Sequence, residues 1–412
     1  MLLTEHGLQT SNDSTELVRL GPEALPYLLE SLEDKTATKL VIQHEQHFGA
    51  MWFANELCGN PANALEQRVI GTNEPPPFGS GSTISSYTVK VGDICFVIIG
   101  EIVGREYEAV RYQPTSCVII NSPTHDPKLA GQVRAIWSNR DSRQHLLDSL
   151  LLDYSSEGGF NGKSLDGWDV GSSLQCSAAT RLLFYFPEFT TKLVADRLSK
   201  LDVHLCDDQK TPDESMMREV KNGVRTENFL KAVAWCEEPV IRLQLKNIFQ
   251  RTLDPELLPI LSDKITGAEV RQHLEEAISR LPEIELGPFG DGYNLLVAFG
   301  EKCGTQARPA FERYMTNASL QRCRSMSQVL RKTQGEWSID LLKRLLNDKR
   351  PADGWTYAVI PHQNEPRLPI RICDEAAETI SMNFPKLTFK MEGSHEQLDQ
   401  QIEKMRRQIE SK

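Results

Sequence analysis

The stretch that decides the fold is "DPELLPILSDKITGAEVRQHLEEAISRL", residues 254–281. Asp254 is a good N-cap, and Pro255 suits the first helical position, where its missing N–H costs nothing. Leu257, Leu258, Leu261 and Ile265 then recur at helical spacing. Gly267 breaks the run. A second helix starts at once, with Val270, Leu274, Ala277, Ile278 and Leu281 on one face. Two short amphipathic helices joined by a tight turn make a helical hairpin that cannot bury its apolar faces alone.

The Pro-led first helix, the Val270-Arg271 pair opening the second and the Leu274/Ala277/Ile278 spacing resemble a HEAT repeat. Looser copies lie elsewhere. "GPEALPYLLESL" (21–32) keeps the Pro, the Glu and the leucines six and ten positions on; "PEFTTKLVADRL" (187–198) matches through Leu193. "RPAFERYM" (308–315) keeps the Pro, and "EPVIRLQLKNIF" (238–249) repeats the Val-x-Arg opening with an altered step. "SSLQCSAATRLLFYF" (172–186) offers Ala178 and Ala179, small enough for close helix packing. The prolines at 22, 187, 255 and 309 are irregularly spaced, wider than the roughly 40–47 residues of an ideal period. The array is therefore read as degenerate.

A second pattern is an internal duplication. "LLESLEDKT" ends in Asp34-Lys35, an extended stretch runs from "TKLVIQHEQHF" to "YTVKVG", and Asp93 precedes "ICFVIIGEIV". Near the other end "LLKRLLNDKR" (341–350) carries Asp348-Lys349, "GWTYAVIPHQNEPRLPIRIC" is extended, and Asp374 precedes "EAAETI". The device reads helix, Asp-Lys, β-like hairpin, Asp cap, helix. Each Asp is expected to be an N-cap that accepts an N–H from the first helical turn. "ICFVIIG" alone could be a buried strand; its Ala-rich counterpart makes it a helix.

The resulting expectation is an all-α chain: one α-solenoid domain, residues 1–412, of degenerate HEAT-like hairpins with small β-hairpin insertions in the linkers. It has an extended linker at 36–88 and a terminal capping helix at 394–410. Within the linker, "NEPPPFGSGSTISS" (73–86) reads as a flexible or polyproline loop. The capping helix rests on Ser394 with Gln397 three later, then Leu398, Ile402, Met405 and Ile409 on one face.

Composition bounds the rest. Of 412 residues, 40% are hydrophobic and 25% charged, enough to bury a core. A net charge of −11 weighs against nucleic acid, which is bound by neutralising phosphates. No run approaches the roughly 18 apolar residues of a membrane span, and the N-terminal stretch lacks the basic and apolar regions of a signal peptide. The nine cysteines are odd in number, scattered, and never in C-x-x-C spacing. They read as buried thiols in a reducing, cytoplasmic setting.

Candidate chemistry is sparse. "HEQHF" offers His44, Glu45 and His47, but on a strand 44 and 47 face opposite sides, so a hairpin tip is expected rather than a metal site. "GGFNGKS" (158–164) lacks the register of a phosphate loop. Glu157, Lys163, Asp166 and Asp169 gather around Trp168, and Tyr293 and Trp355 sit beside Gly and Asp in "LGPFGDGYN" and "KRPADGWTY". These three stretches read as connectors whose aromatics tuck loops onto helices; lining one edge, they would form a recognition surface. No catalytic residue, cofactor or metal is assigned. The resemblance implies a non-catalytic scaffold binding a protein or peptide on a curved face. The alternative is a HEAT-like enzyme resembling bilin lyases, or DNA glycosylases, whose basic face the charge disfavours.

Overall fold

The computed structural model describes residues 12–44, 49–54, 57, 84–112, 116–155, 174–201, 226–263, 265, 268–281, 291–316, 318–333, 335–352 and 369–411. Of these, 68% are helical, in keeping with the all-α expectation, and small sheets accompany the helices. The chain divides into two compact units, Met1–Leu198 with Lys210–Ile241, and Ser199–Gln209 with Arg242–Lys412.

The first unit opens with α1 (Asn12–Leu20) and α2 (Leu25–Glu30), the latter continued by a 3-10 turn, Ser31–Glu33. Strand β1 (Ala37–Gln43) pairs antiparallel with β3 (Ser86–Lys90), with an irregularity between Ala37 and Val41. Next comes α3 (Val91–Val103), the helix that alternation alone leaves ambiguous. Phe96, Ile99, Ile102 and Val103 are fully buried in it, so α3 is apolar nearly all round and runs through the core. It packs on α1, α2 and β3. Gly104, at φ +71°, ends it in the left-handed conformation that glycine adopts without strain.

A three-stranded sheet was not foreseen. β2 (Met51–Phe53) runs parallel to β5 (Val118–Ile120), which pairs antiparallel with β4 (Val110–Tyr112). Two of its strands lie beyond the 36–88 linker. They are only three residues long, and Val110 and the Val118-Ile119-Ile120 run are β-branched. Helices α4 (Pro127–Trp137), α5 (Ser142–Ser155), α6 (Leu174–Tyr185), α7 (Pro187–Ser199) and α8 (Thr226–Val233) follow. Ala178 and Ala179 of α6 are buried, where α6 packs closely on α5 and α8. Leu193 of α7 corrects the proposed repeat match. It is 40% exposed, while Val194, Ala195 and Leu198 face inward. The apolar stripe of α7 is displaced from the position the repeat alignment used.

The division between units falls within α9 (Pro239–Arg251). In the second unit, α10 (Leu257–Ser262) and α11 (Ala268–Ser279) form the hairpin expected from 254–281. Asp254 Oδ1 accepts the Glu256 N–H at 2.8 Å and its carbonyl accepts the Leu258 N–H, so it caps one turn ahead of the assigned helix. Val270, Leu274, Ala277 and Ile278 are buried and Leu281 half-buried. Helices α12 (Asp291–Cys303), α13 (Arg308–Met315), α14 (Leu320–Lys332), α15 (Glu336–Leu345), α16 (Ile372–Asn383) and α17 (His395–Glu410) complete the unit. α14 lies between α12 and α16, while α13 packs on α15. α17 has the expected box, Ser394 Oγ accepting from Gln397 N–H and Gln397 Oε1 from Ser394 N–H, and buries Leu398, Ile402 and Met405.

Candidate functional site

The duplicated junction is repeated in its hydrogen bonds. In the first unit Val91 N–H donates to Thr36 O (3.0 Å) and Gly92 N–H to Asp34 O (3.0 Å). In the second, Ile372 N–H donates to Arg350 O (3.0 Å) and Cys373 N–H to Asp348 O (2.9 Å). Asp34 Oδ1 accepts the Thr36 N–H, and Asp348 Oδ1 the Arg350 N–H. Ala37 pairs with Lys90 as Pro351 bridges to Arg371. The first-turn amides of α3 and α16 are thus served by backbone carbonyls just past the 3-10 turn that continues α2 and just past α15.

That arrangement corrects the role of the two aspartates. Neither is an N-cap. Asp93 and Asp374 are the third residues of their helices, and each carboxylate reaches back to the N–H before the helix. Lys90 N–H donates to Asp93 Oδ2 (2.8 Å) and Arg371 N–H to Asp374 Oδ2 (3.0 Å). Lysine and arginine side chains carry no acceptor, so only this half of a capping box can form. The β-branched Val91 and Ile372 read as the end of a strand, yet they are the first helical residues.

The two carboxylates differ in company. Asp93 sits in a box of hydroxyls: Tyr87 Oη donates to Oδ2 (2.6 Å) and Ser122 Oγ to Oδ1 (2.5 Å), with Ser122 also 2.9 Å from Thr124 Oγ1. Burial, together with the Asp93 bond, pushes the Tyr87 phenol up to about 12. Asp374 instead holds the Arg371 guanidinium at 3.0 and 2.8 Å, and Arg371 also reaches Asp399 (2.8 Å). Both carboxylates are buried and bonded to residues of their own unit, which marks them as structural.

The C-terminal end of α3 is finished by two buried guanidiniums. Arg105 donates to the Val103 and Gly104 carbonyls and pairs with Asp153 at 2.5 Å. Arg181 Nε donates to Glu101 O at 2.7 Å, with its Nη2 3.7 Å from Glu101 Oε1. An acid at the N-terminus and cations at the C-terminus suit the helix dipole. Periodicity could not show this, because Arg105 and Arg181 read as surface positions until their acids, on other elements, are known.

The candidate residues named from sequence fall mostly elsewhere. Glu45, His47, Glu157, Lys163, Asp166, Trp168, Asp169 and Trp355 lie outside the described residues, as do Cys58 and Cys206. His44 follows β1, its N–H donating to Ser85 O at 3.1 Å, and no metal-binding group of three occurs among the described residues. The seven described cysteines are thiols, and all but Cys303 are buried. Burial pushes the thiols of Cys95 and Cys373 up to about 11, which suppresses the reactive thiolate. Tyr293 belongs to α12, not to a loop, and burial raises its phenol against the opposing effect of Arg331.

Tyr293 leads to a half-buried polar cluster of the second unit, a seam between α14 and α16. Arg324, Gln328 and Arg331 lie at i, i+4 and i+7, one stripe of α14. Glu375 and Glu378 lie at i and i+3 on α16. Arg324 Nε is 3.4 Å from Glu375 Oε1, both side chains 15% exposed, and Arg331 Nη2 is 2.5 Å from Glu378 Oε2 at the more exposed rim. Burial holds the Glu375 carboxyl above its ordinary value although Arg324 and Arg331 oppose the shift; Glu378 adds to it. Gln328 Oε1, Glu375 Oε2 and Arg331 Nε are buried with no hydrogen-bond partner. Buried polar atoms are nearly always satisfied, so several unserved atoms at one place, around a carboxyl that burial raises, mark the seam as the candidate site. Comparison of the chain with protein-family models, with curated proteins and with solved structures gives no match in any of the three.

Proposed function

We propose that the chain is a non-catalytic scaffold that binds a protein or peptide, and that its helical hairpins stack as a HEAT-like solenoid whose helix face carries the contact. The α14–α16 seam is the observation that carries this reading. Its unspent hydrogen-bonding atoms lie on a row of neighbouring helices rather than around a nucleophile or an acid–base pair. A peptide backbone offers donors and acceptors in alternation, which such a mixed set can satisfy. The order α12, α14, α16 in contact, with α13 on α15, supports the stacked-hairpin reading.

Selection of random peptides displayed on phage against the full-length chain tests it. Selected peptides should bind the native chain and lose at least tenfold on an Arg331→Ala/Glu378→Ala variant that melts as a folded protein. A selection whose peptides ignore the seam, or one that yields no binder, would overturn the assignment.

A further inference from the structure

The chemistry of the seam bears on the charge of what it binds. Among its unserved atoms, Gln328 Oε1 and Glu375 Oε2 are acceptors. Gln328 lies on the α14 stripe between Arg324 and Arg331, whose ends meet Glu375 and Glu378, so it sits at the level of these two carboxylates. An ammonium or guanidinium carries donors only and can serve both acceptors; an anion would leave both unserved. The surroundings agree in charge. Within the seam Glu375 and Glu378 offset Arg324 and Arg331, and the whole chain carries −11. A field of that sign raises the encounter rate with cationic partners.

There is also a bed for an aliphatic stem. Met382 lies seven residues after Glu375, on the same face of α16, and is 59% exposed. Methionine accommodates varied apolar shapes, and long basic side chains lay their methylenes on such surface while the head stays polar. Between Met382 and the acceptors stands the Arg331–Glu378 pair, about a third exposed. Exposed ion pairs of this kind open at little cost, and opening frees Glu378 for the same cation. Arg331 Nε, also unserved, is a donor that a carbonyl of the partner's own backbone would serve.

We infer that the seam takes a basic side chain, an arginine or lysine presented on an extended peptide segment of a protein partner, with its head between Gln328 and Glu375 and its stem along Met382. This rests on the scaffold reading above and adds the partner's chemistry.

The probe is a fluorescein-labelled peptide with three Gly-Ser-Arg repeats, with Gly-Ser-Lys and Gly-Ser-Glu versions beside it, titrated by anisotropy against the full-length chain. The Arg or Lys peptide should bind and the Glu peptide should not. Glu375→Gln should weaken binding at least tenfold, and so should Gln328→Leu. Glu410→Gln, which removes one carboxylate from the exposed face of α17, should change it less than twofold. Equal weakening by Glu375→Gln and Glu410→Gln would mean diffuse attraction to a negative surface and would overturn the inference. Absence of binding by both basic peptides would overturn it too. Display-selected peptides that depend on the seam yet carry no basic residue would sink this inference while leaving the scaffold reading intact; peptides that ignore the seam would remove both.

Discussion

Replacing the two junction aspartates separates their roles. At position 93, alanine leaves the Lys90 N–H without an acceptor in the protein interior, a loss of about 1–3 kcal/mol. The two hydroxyls keep company, since Tyr87 Oη lies 3.0 Å from Ser122 Oγ and Ser122 lies 2.9 Å from Thr124, so each forfeits roughly 1 kcal/mol. Asp93→Ala should therefore cost about 3–5 kcal/mol. Asparagine fits far better. Its oxygen can keep both bonds to Oδ2, and its amide can donate to Ser122, whose hydroxyl turns to Thr124, for a cost of about 1 kcal/mol. Position 374 behaves differently. Alanine there strips a buried guanidinium of its nearest acid and should cost about 3–5 kcal/mol. Asparagine sets its amide against the Arg371 Nη2 donor, so it should recover little, leaving about 2–4 kcal/mol lost. Urea denaturation followed by circular dichroism, with midpoints and slopes compared across the four variants, reads this directly. An asparagine as damaging as alanine at 93, or as mild at 374 as at 93, would refute the hydroxyl-box and ion-pair assignments.

Three further outcomes follow from the same structure. Glu375 has its carboxyl raised above the ordinary 4.5, so its contribution to stability is full below that value and is lost as pH climbs through the raised value. Glu375→Gln should accordingly melt higher than the native chain near pH 7, with the two curves converging below pH 4.5; a variant less stable at neutral pH would contradict the burial argument. Leu274, fully buried in α11, should cost about 2–5 kcal/mol as alanine, and a change under about 0.5 kcal/mol would mean the helix face is misassigned. A Cβ on Gly92 would come 2.3 Å from Leu32 O and 2.5 Å from Thr124 Cγ2, so Gly92→Ala should cost about 1–3 kcal/mol. Cys373, its counterpart in the second unit, should accept alanine at under about 1.5 kcal/mol, both measured by thermal melts.

The sequence makes the helices and the duplication readable, because both are local. Val270, Leu274, Ala277 and Ile278 announce their face by spacing alone, and the two Asp junctions announce each other by matching composition. What was misread is one helical turn. Val91 and Ile372 are β-branched and follow strand-like residues, and nothing local says that carbonyls from Asp34, Thr36, Asp348 and Arg350 will claim their amides and start the helix early. The short sheet escaped because β2 meets β5 across more than sixty residues of chain. The seam escaped for a related reason. Arg324, Gln328 and Arg331 look like a solvated stripe, and only the parallel approach of α16 shows that Glu375 and Glu378 half-bury them. A polar stripe at i, i+4 and i+7 containing an uncharged Gln between two arginines was the available signal.

The matched carbonyl-to-amide bonds of the two junctions close loops of very different size. Gly92 meets Asp34 across 58 residues of chain, whereas Cys373 meets Asp348 across 25. Closing the longer loop is dearer in chain entropy by about 0.7 kcal/mol, a factor of roughly three in rate if closure limits each step. Two junctions with the same carbonyl-to-amide pattern therefore acquire different places in the order of folding. The junction near the C-terminus can form soon after its residues are joined, while the one near the N-terminus must wait for β1 to find β3 before α3 has an anchored first turn. On refolding of the full-length chain the later junction therefore closes the faster of the two, by that factor.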